Sequence, residues 1–147
     1  MNHQVLNEGI KHLLSVEPNF KRFVPDHQIE FFLRPKGFKG ICALVIEQQI
    51  SVKAAESIKK RVFNLMENVN AKNFLQLDRN LLREAGISGP KINYLVGVAE
   101  QESTGQFNFD DLETMSDEEA RKSLEKMKGI GSWTADCYLM ACLGRQD

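Results

Sequence analysis

The sequence has few cysteines and no pattern of metal ligands. Its three cysteines, Cys42, Cys137 and Cys142, are an odd number, and all lie in apolar stretches. An odd number of cysteines in apolar stretches is typical of reduced cysteines in a protein core, so no disulfide framework is predicted. The three histidines are scattered, and no pair of cysteines has the spacing of zinc ligands. We therefore expect neither a metal nor another cofactor.

Long apolar runs and an excess of charge of one sign are also missing. No apolar segment approaches the roughly 20 residues needed to cross a bilayer, and the first residues lack the basic start and apolar core of a signal peptide. A cytoplasmic protein with no membrane contact is the expectation. With 19 basic and 20 acidic residues the formal net charge is −1. This balance argues against a protein that binds nucleic acid through bulk positive charge.

No segment alternates apolar and polar residues for long enough to form a strand, so we expect an all-α fold. The apolar spacing predicts a short helix before Pro18, a buried helix over residues 38–49, and a helix that is capped by Ser51 and continues through Val69. A short helix follows and ends at Gly86. Another has Pro90 in its first turn and runs to Gly105. Helices of this length joined by short turns predict a compact orthogonal bundle.

The segment between the first two helices is rich in phenylalanine and proline. We expect it to be irregular, with its aromatic side chains anchored in the core: Phe20, Phe23, Phe31, Phe32 and Phe38. The length of 147 residues suits one domain, residues 1–147. Within it, residues 1–37 form a weakly assigned N-terminal segment, and residues 38–147 form the helical core.

The last third of the chain predicts two helices joined by a tight hairpin. Ser116 and Glu119 have the spacing of a capping box, and an amphipathic segment follows to Met127. Ser132 is placed to cap a second helix that Gly144 ends. Between them, glycines allow conformations and close approaches that a side chain would forbid. The N–H groups at the start of the second helix then offer a seat for a phosphate, although a plain connection between helices needs no ligand.

Three stretches of the chain carry a family resemblance. Residues 128–135 are Lys-Gly-Ile-Gly-Ser-Trp-Thr-Ala, residues 46–51 are Ile-Glu-Gln-Gln-Ile-Ser, and residues 82–95 contain Leu-Arg-x-x-Gly-x-Ser-x-x-Lys-x-x-Tyr-Leu. In this order and spacing they resemble the helix-hairpin-helix (HhH-GPD) DNA glycosylases, in particular the 3-methyladenine DNA glycosylase II branch. The resemblance covers residues 38–147. The three cysteines cannot supply the four ligands of the iron-sulfur cluster that some relatives carry.

The resemblance implies a role for each motif. The hairpin would bind the backbone of double-stranded DNA that contains alkylated bases, through Lys128, Gly129, Ile130, Gly131 and Thr134. Trp133 would form the base pocket, by stacking on a flipped, positively charged purine. Trp133 stands where bifunctional relatives keep a lysine nucleophile, so a monofunctional enzyme without a Schiff base is implied.

Other residues near these motifs keep two interpretations. Gln49 and Ile50 match the position from which the family inserts a wedge into the gap left by the flipped base, but packing at a helix end explains them as well. Without the motif, Trp133 would be taken for a core or lid residue. A cluster of cations lies beside the hairpin and suits either phosphate contacts or the solvated face of a helix: Arg121, Lys122, Lys126 and Lys128.

The catalytic residue implied by the resemblance is an aspartate that lies beyond Asp147, so the chain is expected to be truncated before it and before the closing helices. Asp147 aligns with an earlier acidic residue and Asp136 with a variable position, so neither is assigned as catalytic. The expected function is base-excision repair, with removal of alkylated purines such as 3-methyladenine, in a chain that acts poorly alone. The alternatives are a noncatalytic module that binds the DNA backbone without sequence preference and, more weakly, a protein-interaction bundle. An apolar face left by absent helices would favour a homodimer.

Overall fold

The computed structural model describes residues 3–25 and 33–145, which contain eight α-helices and two short 3-10 helices. In chain order the α-helices are α1 (His3–Val16), α2 (Gly37–Glu47), α3 (Val52–Phe63), α4 (Ala71–Leu75), α5 (Arg79–Glu84), α6 (Gly89–Ser103), α7 (Asp117–Glu125) and α8 (Ser132–Ala141). The 3-10 helices are Pro18–Phe23 and Phe109–Glu113. No strand occurs in the described ranges, and the prediction of an all-α fold is confirmed.

The core is built around α2. Residue 38 and residues 40–46 of this helix are all buried, as the apolar character on every side predicted. Helices α3, α6 and α8 pack against it, while α4 packs against α6 and α7 packs against α8. None of the described residues in 3–25 belongs to the buried core. Among the described helices, none combines the length and the apolar character that a membrane span requires.

Several helix starts lie where the sequence placed them. Ser51 accepts the Ala54 N–H through its side chain at 3.3 Å and begins α3. Ser116 and Glu119 form the complete capping box that begins α7. The prediction that Ser132 caps the last helix is wrong, because Gly131 is the capping residue and Ser132 is the first residue of α8. The start of α8 therefore has no side-chain cap.

The predicted extent of α3 is also wrong. The helix ends at Phe63, and Asn70 caps the short helix α4, which was not predicted. The apolar spacing nevertheless continues, because Leu65, Met66 and Val69 contact the core from the connecting turn. An apolar period alone does not distinguish a helix from a turn that faces the same core.

The N-terminal aromatic residues differ from the prediction as well. Phe20 and Phe23 lie on a 3-10 helix with 41% and 67% of their surface exposed, so they are not core anchors. Their rings contact each other instead, with centroids 6.2 Å apart. Phe38 is buried in α2, as expected. Phe31 and Phe32 lie outside the described residues.

Two connections fix α8 to the rest of the bundle. The Gly37 N–H donates to the Tyr138 hydroxyl at 2.7 Å, and the Arg34 N–H donates to the Ala141 carbonyl at 2.8 Å. These hydrogen bonds join α8 to the first residue of α2 and to the segment before it. Because the hairpin between α7 and α8 is continuous with α8, its position relative to α2 is fixed too.

Candidate functional site

The hairpin is formed by residues 126–131, between the end of α7 and the start of α8. The Ile130 N–H donates to the Met127 carbonyl at 3.1 Å, which closes the turn. Both side chains are buried, with 4% of Ile130 and 1% of Met127 exposed. Ile130, predicted as a DNA-binding residue, therefore anchors the hairpin in the core and can offer only its backbone to a ligand.

Gly129 is required by its conformation and by its neighbour. Its φ is +89°, a region that side chains rarely adopt. A Cβ at this position would lie 2.2 Å from Cγ and 2.3 Å from Cδ2 of Tyr94. The hairpin backbone thus packs directly on the Tyr94 ring, and no residue other than glycine fits.

Gly131, in contrast, is under no steric requirement from the fold. Its φ is −94°, and a Cβ built on it would meet no atom within 4 Å. The fold itself therefore does not demand glycine here. As the N-cap of α8, Gly131 offers no side chain to the N–H groups of the first turn, and the space in front of them is open. The positive end of the α8 dipole is exposed to an incoming anion.

Trp133 and Thr134 are neighbours in this first turn and differ sharply in exposure. Trp133 is 61% exposed, whereas Thr134 is only 3% exposed. The Thr134 hydroxyl oxygen accepts from Gln48 Nε2 at 3.0 Å, so its side chain is committed to the protein. The core interpretation of Trp133 is excluded, because its indole faces solvent beside the uncapped helix start.

The α2–α3 turn, residues 48–51, carries the two residues predicted as a wedge. Gln49 has a φ of +57°, in the left-handed region that costs a non-glycine residue roughly 1–2 kcal/mol. Gln49 is exposed, and Ile50 is 38% exposed. Neither side chain fills the core, and both remain available to a ligand. Strained backbone of this kind is typical of functional sites.

Two side chains that the sequence did not predict as functional hold this turn. Lys91 Nζ donates to the carbonyls of Ile46 and Gln48, at 2.8 Å and 2.6 Å. Its ammonium thus lies at the negative end of the α2 dipole, and burial lowers the pKa of Lys91. Gln48 Nε2 donates to the Gly129 carbonyl at 3.1 Å. The turn, the hairpin and α6 are therefore connected by hydrogen bonds.

A groove separates the α2–α3 turn from the hairpin. It has a volume of about 510 Å³ and is bounded by the turn, the first two turns of α6 and the glycines of the hairpin. Polar backbone and the exposed Gln49 line it, together with Lys91 and Tyr94 on its α6 side. Gln49 of the predicted wedge and the glycines of the predicted phosphate seat thus line one open groove.

Two of the four cations beside the hairpin form ion pairs, and the other two do not within the described residues. Arg121 pairs with Asp136 at 2.5 Å, and Lys122 pairs with Glu118 at 2.7 Å, one helical turn away. Lys126 and Lys128 are exposed and form no ion pair within residues 3–25 and 33–145. The solvated-face interpretation thus fits the first two, and the last two remain available for phosphates.

Two carboxylates near α8, Glu47 and Asp136, are held by cations. Glu47, the last residue of α2, pairs with Arg34 at 2.5 Å and with Lys59. Burial on its own raises the pKa of Glu47, but the hydrogen bonds from Lys59 and Arg34 outweigh it and leave that pKa below its usual range. Asp136 is paired with Arg121, and Asp147 lies outside the described residues. Neither Glu47 nor Asp136 has the environment of a general base.

The chain matches one protein family over most of its length. Residues 42–139 match the model of the HhH-GPD superfamily of base excision DNA repair proteins. DNA-3-methyladenine glycosylase 1 of Schizosaccharomyces pombe is 29% identical over 147 residues, which cover 92% of this chain and 63% of that protein. The DNA-3-methyladenine glycosylase of Bacillus subtilis is 31% identical over 121 residues, which cover 74% of this chain and 40% of that protein.

Solved structures agree with this match. The DNA-3-methyladenine glycosidase of Bacillus halodurans superposes with a TM-score of 0.77 at 30% identity, over 94% of this chain and 65% of that one. The 3-methyladenine DNA glycosylase Mag1 of S. pombe, in complex with abasic DNA, also gives 0.77 at 26% identity, over 87% and 64%. The chain thus spans 40–65% of the length of these relatives.

Proposed function

Because the chain belongs to the HhH-GPD superfamily of base excision DNA repair proteins, we propose that it binds damaged duplex DNA and holds an alkylated purine against Trp133. In this chemistry the damaged nucleotide leaves the helix and its N-glycosidic bond is then hydrolysed. The chain supplies the grip on the DNA backbone and the stacking surface of a monofunctional glycosylase.

One observation carries this proposal: the uncapped start of α8 and the exposed Trp133 occupy the same helical turn. A phosphate that sits on the N–H groups behind Gly131 brings its strand beside the indole. Trp133 is 61% exposed, so no rearrangement of the core is needed before it can stack on a base. The sterically open Gly131 lets the DNA backbone approach closely.

The chemistry of the substrate explains the choice of residue. Alkylation of a ring nitrogen gives a purine a positive charge, which also weakens its bond to the sugar. An indole face attracts such a cation by roughly 0.5–2 kcal/mol, beyond ordinary stacking. An undamaged, neutral purine gains less. In the proposal Gln49 and Ile50, across the groove from the hairpin, fill the gap that the flipped nucleotide leaves.

The names of the relatives support the substrate class. Two relatives that are 29% and 31% identical to this chain are called DNA-3-methyladenine glycosylases. A structural neighbour with that activity in its name is bound to abasic DNA, the form of DNA that remains after base removal. We therefore propose double-stranded DNA with an alkylated or missing base as the partner of this chain.

A second candidate function is a noncatalytic module that holds the DNA backbone without preference for damage. The observation that favours it is the pairing of two carboxylates near α8, Glu47 and Asp136, with cations. Neither is poised to stabilise a cationic sugar or to activate water. Under this alternative Trp133 makes no contribution to affinity, and hairpin contacts alone account for binding.

A third use of the same surface is contact with a second copy of the chain. Trp133 and Met140 lie on one face of α8, and their side chains are 61% and 44% exposed. A homodimer through this face would cover the indole and compete with DNA. Sedimentation velocity over a range of concentrations tests it: a dimer that Trp133→Ala dissociates would support this use.

Fluorescence anisotropy with matched duplexes tests the main proposal. One duplex carries a single 7-methylguanine and the other carries guanine at that position. We expect the chain to prefer the damaged duplex, and Trp133→Ala to abolish that preference while affinity for the undamaged duplex remains. Equal affinity for both duplexes in the unmodified chain would contradict the proposal and support the noncatalytic module.

A further inference from the structure

On the basis of the proposed function, we infer that Lys91 and Gln48 are positioning residues. They hold the α2–α3 turn at a fixed place relative to the hairpin, so that a duplex gripped by the hairpin meets Gln49 and Ile50 at the nucleotide beside Trp133. Neither residue needs to touch the damaged base. Their effect on the preference for damage comes through the geometry of the groove.

Lys91 provides the first connection. Its ammonium donates to two carbonyls at the end of α2, those of Ile46 and Gln48, at 2.8 Å and 2.6 Å. These carbonyls lie where a helix leaves its acceptors without partners. Without the ammonium, these two carbonyls would lose their partner, and the left-handed conformation of Gln49 would lose one of its supports.

Gln48 provides the second connection. Its side-chain amide donates to the Gly129 carbonyl at 3.1 Å and to the Thr134 hydroxyl at 3.0 Å. One acceptor belongs to the hairpin and the other to the first turn of α8. A single side chain of the α2–α3 turn thus contacts both the hairpin and the first turn of α8, the two parts that are proposed to bind DNA.

Helix α6 completes the arrangement. Lys91 and Tyr94 are three residues apart and therefore share one face of this helix. Lys91 contacts the end of α2, while the Tyr94 ring supports Gly129 so closely that a Cβ there would overlap it. The same face of α6 thus fixes the positions of both the α2–α3 turn and the hairpin, which form the two sides of the groove.

A direct phosphate contact is the rival role for Lys91, and its environment argues against it. The ammonium already makes two hydrogen bonds to carbonyls, and the residue is partly buried. The two roles predict different salt dependence. Each lysine that neutralises a phosphate contributes about 0.9 to the slope of log K against log salt concentration, whereas a positioning lysine contributes nothing.

The test uses the full chain with Lys91→Met, which keeps a long side chain without its charge. Gln48→Leu is the second variant, and Lys72→Met, at an exposed position of α4, is the control matched for charge. Affinity is measured by anisotropy for a duplex with a tetrahydrofuran abasic site and for an undamaged duplex, over a series of salt concentrations. Amide hydrogen exchange of residues 48–51 is followed in parallel.

We expect Lys91→Met and Gln48→Leu to lower the ratio of the two affinities by about fivefold to tenfold, within the usual range of coupling between sites. The salt slope should match that of Lys72→Met, and exchange at residues 49–51 should rise. A salt slope reduced by about 0.9 in Lys91→Met would overturn the positioning role in favour of a phosphate contact.

The outcomes also separate the two proposals. If the unmodified chain shows no preference for the abasic duplex, the proposed function fails. If it shows a preference that both variants retain, with unchanged exchange at residues 49–51, the proposed function stands and the positioning role is overturned.

Discussion

Replacing Gly129 by alanine tests the description of the hairpin most severely. The new Cβ would lie 2.2 Å and 2.3 Å from two ring atoms of Tyr94, far inside van der Waals contact. It would also have to adopt a φ of +89°. Tyr94 cannot give way easily, because its own Cβ would lie only 2.8 Å from the new atom. Either the hairpin rises off α6 or the ring moves away.

The two penalties can be estimated separately. A left-handed conformation costs a residue with a side chain roughly 1–2 kcal/mol. Forcing an additional carbon into a packed site costs about 1–3 kcal/mol. We therefore expect Gly129→Ala to lower the free energy of unfolding by about 2–5 kcal/mol, out of a total of about 5–15 kcal/mol for a domain. For a protein of this size, the corresponding fall in Tm is about 5–15 °C.

Urea denaturation followed by circular dichroism measures the change, and Gly131→Ala is the matched control. The second glycine has a φ of −94° and no atom within 4 Å of a built Cβ. Its replacement should cost at most about 1 kcal/mol, the difference between glycine and alanine at an N-cap. Because it stands before the open helix start, the same substitution should weaken binding to duplex DNA severalfold.

Tyr94→Ala removes the ring atoms from the overlap and leaves only the Cβ contact. In a double-mutant cycle, Gly129→Ala should cost less in the Tyr94→Ala background, and the remainder should be the cost of the positive φ and of the Cβ contact. Equal stability losses for the two glycine substitutions would refute the contact between the hairpin and α6, and with it the geometry of the groove.

Three further predictions concern stability. Burial, with a smaller contribution from Asp110, raises the pKa of Glu102, whose buried Oε2 accepts no hydrogen bond within the described residues. The folded state thus binds this proton more tightly than the unfolded state, so stability falls as pH rises past the ordinary carboxyl pKa. Glu102→Gln should stabilise the chain at pH 7, by on the order of 1 kcal/mol, and lose this advantage near pH 4 in thermal melts. The pKa shift of Glu47 has the opposite sign. Because this pKa is lowered, the ion pairs of Glu47 stabilise the fold above the ordinary carboxyl pKa. Glu47→Gln should therefore lower the free energy of unfolding at pH 7 and leave it equal to that of the unmodified chain in acid. Ser116→Ala removes the capping box of α7 and should cost about 1 kcal/mol in urea titrations.

Much of the fold follows from signals that are local in the sequence. The capping box at Ser116 and Glu119 needs only four residues, and it is present in the structure. The buried helix α2 was predicted because apolar residues occupy every side of it. The overlong prediction for α3 shows the limit of such signals, since Val69 contacts the core from outside the helix.

The contacts that shape the site are not local. Gln48 is 81 residues from Gly129 and 86 residues from Thr134 in the chain, and Lys91 is 45 residues from Ile46. No periodicity or motif spacing reports such pairs, so neither Lys91 nor Gln48 was predicted as a site residue. That position 129 requires glycine while position 131 does not is likewise apparent only once the position of the Tyr94 ring is known.

Intrinsic fluorescence tests the central claim most directly, because Trp133 is the single tryptophan of the chain. The chain is saturated in turn with a duplex that carries one 7-methylguanine and with the matched undamaged duplex. If the alkylated base stacks on the indole, emission is strongly quenched by the damaged duplex and little changed by the undamaged one. Equal emission in the two saturated complexes would contradict the assignment of Trp133 as the surface that receives the damaged base.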